Sequence, residues 1–175
     1  MSTSQFKTWK SVDLGTGLET ADDFRIALRR NNCEINNGAN YMLGNPAFSV
    51  SDREITVDLV LVSFSDLGFG KYADRREVYE KARSLGLQIC PEEVGPQLRL
   101  QFDGQRPGDK SLIVCIKPLP DNEGTPSLFS LQCNHHGELG LHSQPGCSGE
   151  IIDGVPFKLP YWVCSYYGGL VFMID

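Results

Sequence analysis

Sixteen residues in the middle of the chain concentrate the side chains best suited to chemistry. The segment runs from Leu85 to Leu100 and reads LGLQICPEEVGPQLRL. Two glycines and two prolines restrict its backbone, so we expect a fixed local geometry that holds polar groups against apolar neighbours. The sequence therefore predicts a binding pocket around residues 90–99. Its candidate binding residues are Cys90, Glu92, Glu93, Gln97 and Arg99.

Cys90 is a candidate nucleophile. Pro91 suits the first position of a short helix, and a helix N-terminus lowers the pKa of a thiol. Glu92 and Glu93 would lie in the same turn and oppose thiolate formation, and no histidine is nearby in the sequence to act as a base. A capping or buried cysteine is the favoured interpretation, and a hydrolase that uses Cys90 is the alternative. Gly95-Pro96 is expected to end or kink this helix.

The charged residues of the segment predict an ion pair. Glu92 and Glu93 would point about 100° apart on a helix, so they cannot both face one substrate atom, and we expect them to stabilise the helix start. Arg99 lies between Leu98 and Leu100, where a strand would leave its guanidinium in need of an acceptor. Glu93 is the nearest candidate. A structural pair is favoured over a ligand clamp, and both remain open.

A second group consists of cysteines and histidines, which are residue types that bind metal ions. Cys133, His135, His136, His142 and Cys147 fall within fifteen residues and include all three histidines. Zinc needs thiolate and imidazole ligands that converge tetrahedrally. We expect no convergence here, because Cys133 should face the core, His135 and His136 a hairpin turn, and His142 the far end of the returning strand. We predict no metal and no cofactor, and keep a zinc site at these residues as an alternative.

Composition narrows the class of protein. The 175 residues suffice for one domain, and the 41% apolar and 22% charged fractions are typical of a globular protein. The net charge of −6 argues against nucleic acid as a partner, and no run of residues is long and apolar enough to span a membrane. The N-terminus does not resemble a signal peptide, so we expect a cytoplasmic protein with reduced thiols. The oligomeric state stays open.

Hydrophobic periodicity predicts an α+β domain, with N-terminal helices packed on a mainly antiparallel sheet. Residues 1–19 are expected to form an arm and residues 20–175 the single domain. Helices are predicted after the caps Thr20, Asn36 and Asp74, with Gly86 ending the third. Residues 143–167 are expected to form a long loop. The predicted strands are 54–64, Leu112–Ile116, Ser127–Cys133, Leu139–His142 and Leu170–Ile174.

The pattern LGLxxCPxEVGPQLRLQ at residues 85–101 resembles a family of small, uncharacterised bacterial proteins. Further similarity lies in a Val-Asp-Leu-Val strand at 57–60, Leu-Gly-Phe at 67–69, the turn at 117–119 and Gly-x-Pro-Ser-x-Phe at 124–129. The resemblance covers about residues 20–142 and implies a bacterial protein. It supplies no reaction and no catalytic residues. We therefore expect a non-enzymatic binding module whose partner is a small polar ligand or a protein.

Overall fold

Helices and strands alternate over the first hundred residues, whereas strands dominate the remainder. The structure, a computed structural model, describes residues 6–145, 151–152, 155–156 and 162–174. The helices in these ranges are α1 (Ala21–Arg30), α2 (Asn37–Leu43), α3 (Arg75–Ser84) and α4 (Val94–Gln101). The strands are β1 (Lys10–Leu14), β2 (Glu34–Ile35), β3 (Ile55–Val62), β4 (Tyr72–Ala73), β5 (Ser111–Pro120), β6 (Pro126–Cys133), β7 (Leu139–Pro145), β8 (Ile151–Ile152), β9 (Val155–Pro156), β10 (Trp162–Val163) and β11 (Tyr167–Ile174).

Within the described residues, seven strands form one mixed sheet in the order β1-β3-β11-β5-β6-β7-β2. Neighbouring strands are antiparallel, except for the pairs β11–β5 and β2–β7, which are parallel. The predicted α+β class and mainly antiparallel sheet are confirmed. The strands predicted at 54–64 and in the C-terminal half are also confirmed. Strand β11 lies inside the sheet, between β3 and β5.

The predicted N-terminal arm is wrong in one respect, because part of residues 1–19 belongs to the sheet. Lys10–Leu14 pairs antiparallel with β3 as an edge strand, and Val12 and Leu14 are buried. The ring of Trp9 packs edge-on against Phe102 with centroids 5.0 Å apart. Alternating burial along β1 anchors this stretch to the core, so it is not an arm.

The predicted helix caps are confirmed. The Thr20 side chain accepts from the backbone N–H of Asp23, whose carboxylate accepts in return from the backbone N–H of Thr20. Asn36 caps α2 through the N–H of Ala39, and Asp74 caps α3. Gly86 follows α3 with φ of +82°, the left-handed conformation that ends a helix.

Helices cover both faces of the sheet. On one face, α3 places the ring of Tyr79 6.0 Å from that of Phe172, and the Tyr79 hydroxyl donates to the carbonyl of Ile116 at 2.7 Å. Helix α4 packs on the opposite face, where Phe129 lies next to Gly95 and Phe48. A strand buried on both faces needs apolar residues at consecutive positions, which explains the apolar run of β3.

Helix α4 corrects the expected course of the central segment. The predicted helix at Pro91 is wrong: residues 91–93 form a turn and α4 begins at Val94. Gly95-Pro96 lies inside its first turn, where backbone N–H groups have no intrahelical acceptor, so proline does not interrupt it. Arg99 is therefore on a helix and not on a strand.

The predicted loop at residues 143–167 has strands at both ends. Strand β7 continues to Pro145, and β10 pairs with β4. The buried indole of Trp162 donates to the carbonyl of Pro145 at 3.2 Å and packs against Phe64. Residues 146–150, 153–154 and 157–161, which include Cys147, lie outside the described residues.

Candidate functional site

The buried carboxylate of Glu93 joins two loops that are distant in the sequence. Glu93 is 1% exposed; its Oε1 accepts from the backbone N–H of Gly15 at 2.8 Å, and its Oε2 from that of Ser51 at 2.8 Å. Oε1 also accepts from Nε2 of Gln97 at 2.9 Å. Three N–H donors satisfy a carboxylate that burial would otherwise destabilise. Glu93 therefore holds both loops against the N-terminus of α4.

Two glutamines of α4 also bind the end of β1 and the loop that follows it. Nε2 of Gln97 donates to the hydroxyl of Thr16 at 2.8 Å. One turn later, the Gln101 amide accepts from the backbone N–H of Asp13 at 2.9 Å and donates to the Asp13 carbonyl at 2.8 Å. Positions four residues apart share a helix face, so Glu93, Gln97 and Gln101 bind the end of β1 and the loop after it as one row.

Arg99 lies on another side of α4, and its predicted pairing with Glu93 is wrong. The guanidinium is 2% exposed; Nη1 donates to Oε1 of Gln105 at 2.6 Å and Nη2 donates to the carbonyl of Phe102. None of the described residues accepts from Nε. Six helical positions separate Glu93 from Arg99, which turns the two side chains away from each other. Burial lowers the pKa of Arg99.

Cys90 and Glu92 also occupy separate environments. Cys90 is 3% exposed, its backbone N–H donates to the carbonyl of Cys115, and its thiol donates to the carbonyl of Val171 at 3.7 Å. Burial raises the pKa of the Cys90 thiol, which disfavours the thiolate that a nucleophile requires. Glu92 accepts from the hydroxyl of Ser49 at 2.7 Å. The five predicted residues therefore do not converge on one cavity.

The cysteine and the histidines of the β6–β7 hairpin point in different directions. Cys133 pairs with Leu139 and His142 with Ser130, so alternation along the strands places Cys133 and His142 on opposite faces of the sheet. The rings of His135 and His136 lie side by side in the turn, tilted by 45° with centroids 4.0 Å apart, while Nε2 of His142 lies 3.8 Å from Oε2 of Glu34. No group of three His, Cys, Asp or Glu residues suited to a metal ion occurs in the described ranges. Cys147 lies outside them.

A cleft opens between the two loops that Glu93 joins, and we call it the loop cleft. Its volume is about 370 Å³, within the range of small-molecule sites. The first wall comes from residues 15–19 and the second from residues 50–52. The lining residues are Gly15, Gly17, Leu18, Glu19, Val50, Ser51 and Asp52.

The geometry of the loop cleft depends on Gly15. Its φ is +65°, and a Cβ there would lie 2.1 Å from the carbonyl oxygen of Arg53. Only glycine permits this approach of the two walls. Gly15-Thr-Gly17 lacks the features of a phosphate-binding loop, and residues 50–52 carry no motif. No local sequence pattern therefore pointed to this cleft, although its support, Glu93 and Gln97, lies within the predicted segment.

No family model, no curated protein and no solved structure matches this chain. Within the described ranges, none of the helices is long and apolar enough to cross a membrane.

Proposed function

We propose that this protein is a non-enzymatic binding module and that its ligand occupies the loop cleft. The observation that carries the proposal is the bond of one buried carboxylate, that of Glu93, to both walls through the N–H groups of Gly15 and Ser51. A site needs walls held in fixed positions, because loops ordered only on binding reduce affinity. Glu93 supplies that preorganisation from inside the core.

The lining side chains define the ligand class. Glu19 and Asp52 are exposed carboxylates, and Leu18 and Val50 add partly buried apolar surface. None of the cationic side chains in the described ranges lines the cleft. Complementarity therefore favours a small ligand with an ammonium group on a short apolar stem. Cys90, with a buried thiol and a raised pKa, and the divergent histidines give the hydrolase and zinc alternatives no comparable support.

Titration with putrescine, followed by backbone amide NMR, tests the proposal. We expect saturable shifts at Gly15, Gly17 and Ser51, and none with acetate. The double variant Glu19→Gln/Asp52→Asn should weaken binding about tenfold or more, since each hydrogen bond to a charged group is worth roughly 1.5–3 kcal/mol. Added salt should weaken it further.

Two controls complete this experiment. Glu77→Gln/Glu80→Gln removes two exposed carboxylates from α3 and should leave putrescine binding unchanged. Glu93→Gln should reduce binding without touching the lining, because its amide nitrogen cannot accept from a loop N–H. Absence of saturable shifts, or equal binding by the Glu19→Gln/Asp52→Asn variant, would remove the loop cleft as the site.

A further inference from the structure

A second cleft lies between α1, α2 and the turn that joins β5 to β6, and we call it the asparagine cleft. Its volume is about 490 Å³, and it shares no lining residue with the loop cleft. Four of its lining residues are asparagines: Asn37, Asn40, Asn45 and Asn122. Arg25 is the one charged residue among the described residues of the lining, in a chain whose net charge is −6.

Arg25 is held in a fixed orientation within this cleft. Its Nε donates to Oδ1 of Asn40 at 2.6 Å, and its Nη2 donates to the Asn40 carbonyl at 2.8 Å. Its Nη1 donates to Asp22 at 2.8 Å, and the Arg25 side chain is only 20% exposed. A guanidinium has five N–H donors, so two remain after these three bonds. The two that remain, one on Nη1 and one on Nη2, can donate to an oxyanion while the three bonds hold the guanidinium in place.

The amide groups supply neutral hydrogen bonds around that cation. Because Oδ1 of Asn40 is occupied by Arg25, its Nδ2 remains as a donor, and no described residue accepts from it. Asn37 and Asn122 are exposed, and Oδ1 of Asn122 lies 3.4 Å from the position that a Cβ would take on Gly38, the residue after Asn37. An amide both donates and accepts, as a hydroxyl group does, so a row of amides matches a polyhydroxylated molecule.

Tyr41 adds an aromatic surface to the lining. The side chain belongs to α2 and is 52% exposed, so its ring is accessible to a ligand in the cleft. An aromatic ring at the wall of a polar cleft offers a flat apolar face and a hydroxyl at its edge. The C–H face of a sugar ring fits the first feature and its hydroxyl groups fit the second.

We propose that the asparagine cleft binds a hydroxylated small molecule with one anionic group, of the sugar-acid or sugar-phosphate class. Arg25 receives the anionic group, the asparagine amides receive the hydroxyl groups, and Tyr41 stacks on the ring. The proposal is independent of the loop cleft, whose lining selects the opposite charge.

Four probes test this assignment: glucuronate, glucose 6-phosphate, glucose and inorganic phosphate, each titrated to about 10 mM and followed by NMR, which detects a Kd in the millimolar range. The side-chain amide signals of Asn37, Asn40 and Asn122 report on the cleft directly. We expect saturable shifts with glucuronate, glucose 6-phosphate or both, and weaker binding of glucose and phosphate. The first two probes distinguish a carboxylate from a phosphate ligand.

Variants separate recognition from folding. Tyr41→Ala and Asn122→Ala change exposed side chains and should each weaken binding at least about threefold, while Tyr72→Ala, at 58% exposure outside the cleft, should not. Arg25→Gln should weaken it about tenfold or more. Asp22→Asn should instead strengthen it about two- to fivefold, because it removes the carboxylate that competes for Arg25. A purely structural role of Arg25 predicts no such gain.

Two results would overturn the proposal. The first is the absence of saturable shifts with both glucuronate and glucose 6-phosphate in the folded protein. The second concerns whichever of the two anionic sugars binds. Glucuronate that binds no more tightly than glucose would show that the anionic group is not recognised, and glucose 6-phosphate that binds no more tightly than inorganic phosphate would show that the hydroxyl groups are not recognised. A failure of putrescine to bind at the loop cleft would not affect the test of the asparagine cleft.

Discussion

Arg99 donates from Nη1 to Oε1 of Gln105 at 2.6 Å, so a buried cation meets a neutral amide. Nε2 of the same glutamine donates to the carbonyl of Leu131 at 3.0 Å, which links α4 to β6 through one side chain. No described carboxylate forms an ion pair with Arg99. Asp103 favours the charged guanidinium from a distance, but no ion pair within the described residues offsets the cost of its burial.

This environment predicts different effects for two substitutions of Arg99. Arg99→Ala should lower the free energy of unfolding by about 3–5 kcal/mol, because it leaves a cavity and two acceptors without donors. Both substitutions remove the buried charge, but Arg99→Met keeps the apolar stem and fills the cavity, so we expect a loss of only about 1–2 kcal/mol. Urea denaturation measures both. The exposed Arg30→Ala should stay within about 0.5 kcal/mol of the parent protein. A methionine variant less stable than the alanine variant would contradict this account.

Gly95 should tolerate no side chain, although it lies in a helix. A Cβ there would lie 2.4 Å from Cδ2 of Phe129, so Gly95→Ala should destabilise by about 1–3 kcal/mol despite the higher helix propensity of alanine. Gly70→Ala, where nothing lies within 4 Å, is the matched control and should be nearly neutral. Thermal or urea unfolding compares the two. Trimming the ring in Gly95→Ala/Phe129→Leu should recover part of the loss, and no recovery would exclude the steric explanation.

Thiol reactivity should follow burial. Cys90 and Cys115 are buried, and burial raises both of their pKa values, whereas Cys133 is partly exposed. In the native protein, iodoacetamide should alkylate Cys133 at least about tenfold faster than either buried thiol. Peptide mass spectrometry gives the rates, and denatured protein should show no such order. Rapid labelling of Cys90 in the folded state would contradict this prediction and would support Cys90 as a nucleophile.

His142 predicts a loss of stability in mild acid. Burial lowers the pKa of His142 from the ordinary 6.5, and Glu34 opposes the shift only in part. Below about pH 6.5 the unfolded chain binds a proton that the folded chain resists, so the free energy of unfolding falls as pH falls. Urea denaturation from about pH 7.5 to about pH 5.5 should show a shallower fall for His142→Gln. His136→Gln, at an exposed turn position, should keep the parental slope, and an unchanged slope in His142→Gln would refute the assignment.

Local features of this fold were predictable because they depend on neighbouring residues. Thr20, Asn36 and Asp74 cap helices through N–H groups two or three positions away, and Gly86 ends α3 by its own backbone conformation. The C-terminal strands follow from short-range alternation of apolar residues. The sequence also predicted fixed partners for Glu93, Gln97 and Arg99, because these polar residues lie among apolar neighbours.

The partners themselves were decided by tertiary structure. Glu93 binds Gly15 and Ser51, which are 78 and 42 residues away, and no local pattern encodes such contacts. Gly95 is required in the first turn of α4 because Phe129 packs against its backbone, a contact that the segment alone does not reveal. Both clefts arise where segments that are far apart in the sequence meet. The sequence by itself determined which residues cap helices, which form turns and which alternate along strands, since each of these effects acts over a few positions. Packing of the sheet and α4 decided which polar groups meet, since a buried group takes whatever donor or acceptor the fold brings to it.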